Sequence, residues 1–163
     1  MNADRAVKLS LAALSGLVLT ACSGAPDCHY QGPADQAPSA GCLVLREGKL
    51  LLMEGRGGKF GPPGGSVEPG ESAQCGAERE SWEETGVAVR ATSLATQFDN
   101  GFHLYWCQPV GDFNPHIERP LEVASVGLFA PEVFYDLVWR FPEQAALIHR
   151  MVNQKLRERP YEQ

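Results

Sequence analysis

Residues 65–87, GSVEPGESAQCGAERESWEETGV, are the stretch that decides the fold of this chain. Glycine and proline are frequent before Ser72, which argues against regular structure there. Between Ala73 and Thr85, by contrast, Gly76 is the only glycine and there is no proline. The stretch therefore predicts a loop that leads directly into a helix.

Three acidic residues lie close together near the end of that predicted helix. Glu80, Glu83 and Glu84 are spaced i, i+3 and i+4, so their carboxylates share one face of the helix. Arg79 is the only basic residue in the helix, which leaves the acidic charge unbalanced. Either the face is a solvated acidic surface, or it holds a divalent cation such as Mg²⁺, which prefers oxygen ligands.

The complete spacing resembles the signature of the Nudix hydrolases, G-x5-E-x7-R-E-U-x-E-E-x-G-U, where U is an aliphatic residue. Every fixed position of that pattern matches, and one aliphatic position departs because Ser81 stands there. Ser81 weakens the packing under the helix, but it replaces none of the acids. The fixed positions are Gly65, Glu71, Arg79, Glu80, Glu83, Glu84 and Gly86.

The resemblance implies an α/β/α sandwich with a mixed β-sheet and a metal-dependent hydrolase that cleaves a diphosphate linkage. The expected cofactor is Mg²⁺ or Mn²⁺. Glu80 is expected to be both a metal ligand and the general base, while Arg79 and Glu71 pair to hold the loop in place. A further ligand is expected from the loop near Glu118 or Glu122, with Glu122 ranked first. The metal ligands implied by the resemblance are Gly64 (through its carbonyl), Glu80, Glu83, Glu84 and Glu122.

Length and composition limit the chain to one soluble domain. It has 163 residues, of which 44% are hydrophobic and 21% are charged. The formal net charge of −6 argues against a protein that holds nucleic acid, because that affinity comes mainly from lysine and arginine.

The N-terminus is typical of an export signal. Arg5 and Lys8 precede an apolar run over residues 9–19, which is too short to span a bilayer. The run ends in Leu-Thr-Ala-Cys at residues 19–22, which resembles a bacterial lipobox. We therefore expect residues 1–21 to be a lipoprotein signal peptide and Cys22 to be lipidated. The alternative is an ordinary signal peptide that is cut elsewhere.

By the same analogy, Ser23 after the cysteine favours an outer membrane, so we expect an exported, periplasmic or cell-surface lipoprotein. Residues 22–40 are rich in Gly, Pro, Ala and Asp, which predicts a flexible tether. The folded domain is then expected over residues 41–163.

Four further cysteines would lie in an oxidising compartment after export. Cys28, Cys42, Cys75 and Cys107 allow three pairings. Their separations favour Cys28 with Cys42 and Cys75 with Cys107, and free or partly paired thiols remain the alternative. A zinc site is disfavoured, since no C-x-x-C pair is present.

Apolar runs predict the remaining elements. Two runs on either side of residues 46–48 predict a buried hairpin, and residues 87–98 and 102–107 predict two antiparallel strands joined by a turn. A strand is expected at 121–129, a short helical turn at 131–138 and an amphipathic helix at 142–157.

The substrate stays open at this point. A small-molecule diphosphate is expected, and export favours extracellular nucleotides, nucleotide sugars or a membrane-bound lipid diphosphate. The alternative function is a non-catalytic lipoprotein that uses the same fold as a binding or assembly module.

Overall fold

The structure is a computed structural model that describes residues 24–158. The signal peptide expected at 1–21 and the lipidation expected at Cys22 lie outside the described residues. Within residues 24–158, no helix has both the length and the apolar character needed to cross a membrane. The elements are β1 (Ser39–Arg46), β2 (Lys49–Gly55), β3 (Phe60–Gly61), β4 (Gly64–Ser66), α1 (Ala73–Thr85), β5 (Val89–Gln97), β6 (Phe102–Pro109), β7 (Val123–Phe129) and α2 (Pro142–Glu158).

One mixed sheet of seven strands forms the middle layer. Strand β1 is its centre, because it pairs in parallel with β6 and antiparallel with both β2 and β4. The main strand order is β3-β2-β1-β6-β5, and β7 pairs with β2. The predicted hairpin is β1–β2, and the predicted antiparallel pair is β5–β6.

The two helices cover opposite faces of this sheet, because neighbouring side chains of a strand point to opposite sides. Cys42 and Val44 of β1 pack in the cluster that contains Ala73 and Ala77 of α1. Leu43, between them, packs in the cluster that contains residues of α2. The predicted α/β/α sandwich with a mixed sheet is therefore confirmed.

Local signals at both ends of α1 explain its boundaries. The side chain of Ser72 accepts a hydrogen bond from the N–H of Cys75 at 3.2 Å, which caps the N-terminus. Gly86 has a φ of 67°, and its N–H donates to the carbonyl of Trp82 at 2.7 Å. A left-handed glycine is a common helix ending, so the helix stops where the acidic cluster ends.

The segment before β1 packs along α1. The carbonyl of Asp35 accepts from the N–H of Ala73 at 2.8 Å, and the N–H of Asp35 donates to the side chain of Gln74 at 2.9 Å. The carboxylate of Asp35 accepts from the hydroxyl of Tyr105 at 2.8 Å. Burial, with that hydrogen bond, raises the pKa of Tyr105, which keeps its hydroxyl protonated as the donor.

This packing corrects the flexible tether predicted for residues 22–40. The described part of that segment is held by hydrogen bonds to the start of α1, and β1 already begins at Ser39. The segment has few aliphatic residues, but the first N–H groups of any helix need partners outside the helix. The carbonyl of Asp35 meets that need for the N–H of Ala73, which composition alone does not reveal.

Two disulfides form, with a pairing that differs from the prediction. Cys28 pairs with Cys75 at a Cα–Cα distance of 5.2 Å, and Cys42 pairs with Cys107 at 5.5 Å. The predicted pairs Cys28–Cys42 and Cys75–Cys107 are therefore wrong. The reason is the parallel contact between β1 and β6, which brings Cys42 beside Cys107 and leaves Cys75 for the segment before β1.

Candidate active site

Two carboxylates of α1 face the glycine pair at the start of β4. Oε2 of Glu84 accepts a hydrogen bond from the N–H of Gly64 at 2.8 Å. A Cβ atom at Gly65 would lie 2.6–2.7 Å from the carboxylate of Glu80. Any side chain there would displace that carboxylate, so glycine is what lets the backbone and the acid approach each other.

Arg79 connects the helix to the loop before it. Its guanidinium donates to both oxygens of Glu71 at 3.0 Å and to the carbonyl of Ser66 at 2.7 Å. It also donates to Glu80 at 2.8 Å and to Glu83 at 3.1 Å. The structure thus brings together the predicted pair of Arg79 and Glu71, and it adds two of the site acids as acceptors.

Arg119 contacts the same cluster and was not singled out from the sequence. Its Nη2 lies 2.5 Å from Oε2 of Glu83, and its Nη1 lies 3.7 Å from Oε1 of Glu122. It is the only Lys or Arg between residues 110 and 122, the segment that contains both Glu118 and Glu122. That isolated positive charge is the signal that would have pointed to it.

The two acids considered as a further ligand lie in different surroundings. Glu122 reaches the cluster through Arg119, and 60% of its side chain is exposed. Glu118 instead lies 2.7 Å from Nε2 of His116. The pKa of His116 is raised first by its hydrogen bond to the carbonyl of Asn114 and second by its pairing with Glu118. Of the two, the structure brings Glu122 towards α1.

The site acids are strongly buried. Glu83 is 3% exposed and Glu84 is 7% exposed. Burial raises the pKa of Glu84 to about 7; the N–H of Gly64 opposes this shift, and the charge of Glu80 adds to it. Burial also raises the pKa of Glu80, against the opposing effect of Arg79. A nearby positive charge would favour the ionised form of both carboxylates and so lower their pKa values.

The donor set suits a hard divalent cation. Mg²⁺ and Mn²⁺ prefer carboxylate and carbonyl oxygens, and this site offers buried examples of both types. Of the two carboxylate oxygens of Glu84, only Oε2 accepts a hydrogen bond from residues 24–158, so Oε1 keeps its lone pairs for a ligand. Within residues 24–158, no group of three or more acids, histidines or cysteines is arranged to hold a metal ion. Glu80 and Glu83 instead form ion pairs with arginines.

One more buried acid of α1 was missed by sequence reasoning. Glu78 is 5% exposed, and its oxygens accept from the N–H groups of His29 at 2.5 Å and Ala91 at 2.9 Å. It therefore faces the segment before β1 and the start of β5, away from Gly64. It joins α1 to its neighbours and takes no part in the acidic cluster.

Comparison with known proteins agrees with this architecture. Residues 35–151 match the NUDIX domain. A MutT-like protein from Streptomyces ambofaciens is 32% identical over 85 residues, which cover 48% of this chain and 55% of that protein. The chain thus spans about half the length of this relative.

Solved structures show the same fold. A UDP-X diphosphatase superimposes with a TM-score of 0.58 at 20% identity, covering 77% of this chain and 66% of that one. A NUDIX hydrolase from Nitrosomonas europaea gives a TM-score of 0.56 at 26% identity, covering 83% and 76%. Because the match to the family extends over more than half of this chain, the chain belongs to the NUDIX family.

Proposed function

We propose that this protein is a divalent-metal-dependent hydrolase that cleaves a diphosphate linkage in a nucleoside diphosphate joined to another group, or in a related diphosphate. The observation that carries the proposal is the position of Glu80, Glu83 and Glu84. They share one face of α1. Glu83 and Glu84 are buried, and Glu80 and Glu84 lie directly against the glycine pair at Gly64 and Gly65. Family membership and the MutT-like relative support the same chemistry.

The residues take the following roles in this proposal. Glu80, Glu83 and Glu84, with the carbonyl of Gly64 and with Glu122, would hold Mg²⁺ or Mn²⁺. When bound, the cation neutralises charge on the phosphate oxygens around the bond that breaks.

The proton of the attacking water is accepted by a carboxylate of the chain. Glu80 is our candidate for this general base, since burial raises its pKa and the absence of a side chain at Gly65 leaves room beside it. Arg79 is a positioning residue, because it binds Glu80, Glu83 and Glu71 at once. Glu71 in turn fixes the guanidinium with both oxygens.

We also propose that the enzyme works outside the cytoplasm. Two disulfides within one small domain accord with an oxidising compartment. The proposed lipid anchor at Cys22 would hold the domain at a membrane, with an outer membrane favoured by Ser23. Intact mass of protein extracted from membranes tests the anchor, and an unmodified Cys22 in that fraction would refute it.

The activity is tested with a metal titration followed by a substrate panel. The panel contains nucleoside diphosphates joined to sugars or other groups, along with polyprenyl diphosphates, and released phosphate or monophosphate is measured. We expect turnover that depends on Mg²⁺ or Mn²⁺ and is lost in Glu83→Gln. Full activity of Glu83→Gln on every substrate would overturn the catalytic proposal. No turnover of any substrate would favour the binding or assembly module instead.

A further inference from the structure

Two arginines contact the same oxygen of the acidic cluster. Oε2 of Glu83 accepts a hydrogen bond from Nη1 of Arg79 at 3.1 Å, and Nη2 of Arg119 lies 2.5 Å from that oxygen. The side chain of Glu83 is only 3% exposed, and a carboxylate buried to this degree needs opposite charge beside it. The two guanidinium groups supply that charge from different parts of the chain.

The two arginines differ in how firmly they are held. Arg79 is 14% exposed, and both oxygens of Glu71 and the carbonyl of Ser66 also accept hydrogen bonds from it. Arg119 is 40% exposed, and its second partner is Glu122 at 3.7 Å, which is itself 60% exposed. Water screens ion pairs between exposed groups, so they contribute little. Arg119 is therefore the arginine that can leave Glu83 more easily.

The backbone around Arg119 is fixed even though its side chain is partly exposed. The carbonyl of Arg119 accepts from the N–H of Glu122 at 3.0 Å, which closes a turn. Arg56 holds this turn from the neighbouring loop, because its N–H donates to the carbonyl of Glu122 at 3.0 Å and its Nε donates to the carbonyl of Pro120 at 2.8 Å. The side chain of Arg119 can thus turn away from Glu83 while the turn stays in place.

Both acids that Arg119 contacts belong to the ligand set proposed above. A guanidinium and a divalent cation need the same lone pairs of a carboxylate oxygen, and their positive charges repel each other. A cation that needs this oxygen of Glu83 binds only those molecules in which Arg119 has left it. Its apparent affinity is reduced by that fraction of molecules.

We propose that Arg119 competes with the divalent cation for Glu83 and so sets the cation concentration at which the site fills. The inference rests on the proposed function only for the binding of a cation at these acids. If Arg119 instead oriented Glu83 as a ligand, its removal would weaken cation binding. Competition predicts the opposite sign, because removal of Arg119 leaves the oxygen to the cation.

The test is a calorimetric titration of the full chain with Mn²⁺, in the unsubstituted protein and in Arg119→Ala. We expect Arg119→Ala to bind Mn²⁺ about tenfold more tightly, which corresponds to about 1.4 kcal/mol. A tenfold gain means that Arg119 leaves Glu83 in about a tenth of the unsubstituted molecules. Equal or weaker affinity in Arg119→Ala would overturn the inference.

Arg150→Ala is the matched control for the loss of one positive charge. Arg150 is exposed on α2, which covers the other face of the sheet from α1. We expect its Mn²⁺ affinity to stay within about twofold of the unsubstituted protein, because salt screens an exposed charge at that position. A gain equal to that of Arg119→Ala would assign the effect to net charge and refute competition at Glu83.

Urea unfolding provides a second readout that needs no turnover. A ligand that binds the folded protein stabilises it according to its concentration relative to its dissociation constant. The Mn²⁺ concentration that gives a chosen stabilisation should therefore be about tenfold lower in Arg119→Ala, and equal concentrations in the two proteins would contradict the proposal. If Arg119→Ala does not fold, Arg119→Lys replaces it, because a compact ammonium lacks the guanidinium fork. We then expect a gain of about threefold, and no gain would refute competition.

These measurements separate the inference from the proposed function. Tighter Mn²⁺ binding in Arg119→Ala, without turnover of any diphosphate by either protein, would uphold the inference and refute the hydrolase. Metal-dependent turnover with an Mn²⁺ affinity that Arg119→Ala leaves unchanged would uphold the hydrolase and refute the inference. If neither protein bound Mn²⁺, both would be refuted.

Discussion

Glu78 and Glu84 are two buried acids on one helix, and they differ in how completely their oxygens are bonded. Both oxygens of Glu78 accept backbone N–H groups, from His29 and Ala91. Glu84 accepts one N–H, from Gly64, and its second oxygen is unbonded within residues 24–158. Burial raises the pKa of both carboxyl groups.

The difference teaches how to separate a structural acid from a functional one. A carboxylate with both oxygens bonded by the backbone has little capacity left for a ligand, and its removal leaves buried donors without partners. A carboxylate with one oxygen unbonded, in a cluster of like charges, keeps a site for a cation. Burial alone does not distinguish Glu78 from Glu84, whereas the bonding of their oxygens does.

The largest expected effect is the loss of activity in Glu84→Gln. If Glu84 holds a divalent cation, removal of its charge should lower kcat/KM by about 100-fold or more, since metal stabilisation of the transition state is worth several kcal/mol. The free energy of unfolding should change by less than about 1 kcal/mol, because Gln can still accept from the N–H of Gly64. Steady-state kinetics and urea unfolding measure the two quantities. Unchanged kcat/KM at saturating metal would remove Glu84 from the site.

The disulfide between Cys28 and Cys75, on the Glu78 side of α1, should stabilise the fold. Cys28→Ser with Cys75→Ser should lower the free energy of unfolding by about 2–4 kcal/mol, since a closed loop restricts the unfolded chain. Activity at a temperature where the protein stays folded should be nearly unchanged, because Arg79 and Gly64 hold the site acids independently.

The matched comparison for that disulfide is Cys42→Ser with Cys107→Ser, which removes the other disulfide between β1 and β6. A similar loss of stability is expected there. A fall in metal affinity only in the Cys28 and Cys75 variant would show that the segment before β1 also positions the acidic face.

Glu78→Gln makes the same chemical change as Glu84→Gln, but it should lower stability and leave activity unchanged. The Gln amide can accept from one backbone N–H, but its NH₂ group then faces the other donor. We expect a loss of about 1–3 kcal/mol in the free energy of unfolding, with kcat/KM unchanged for the folded protein. Urea unfolding and kinetics on one panel of proteins give both values. A large loss of activity without destabilisation would contradict the structural role of Glu78.

The smallest effect is expected at Ser81, which lies between the two acids along α1. Ser81 is fully buried, and its hydroxyl is the one buried side-chain polar atom without a partner in the described part of the chain. Ser81→Ala should raise the free energy of unfolding by about 1 kcal/mol, since an unpaired polar group is removed. Thermal unfolding compares it with Ser81→Thr, which keeps the hydroxyl. A less stable Ser81→Ala would show that the hydroxyl has a partner.

Most elements of the fold were predictable because their signals are local. The boundaries of α1 follow from Ser72 and Gly86, and alternating or continuous apolar runs predicted the hairpin and the β5–β6 pair. The pairing of the cysteines was not predictable from the same signals. It depends on the parallel contact of β1 with β6, which joins parts of the chain that are far apart in sequence.

The sequence by itself determined the spacing of Glu80, Glu83 and Glu84 on one helical face, because the helical repeat is a property of neighbouring residues. Only the tertiary structure decided which buried acid is fully bonded, that Arg119 reaches Glu83, and that Gln144 lines a cavity beside Gly64. Each of these contacts joins residues from separate elements. Their distances are set by how the two helices and the intervening loops pack on the sheet.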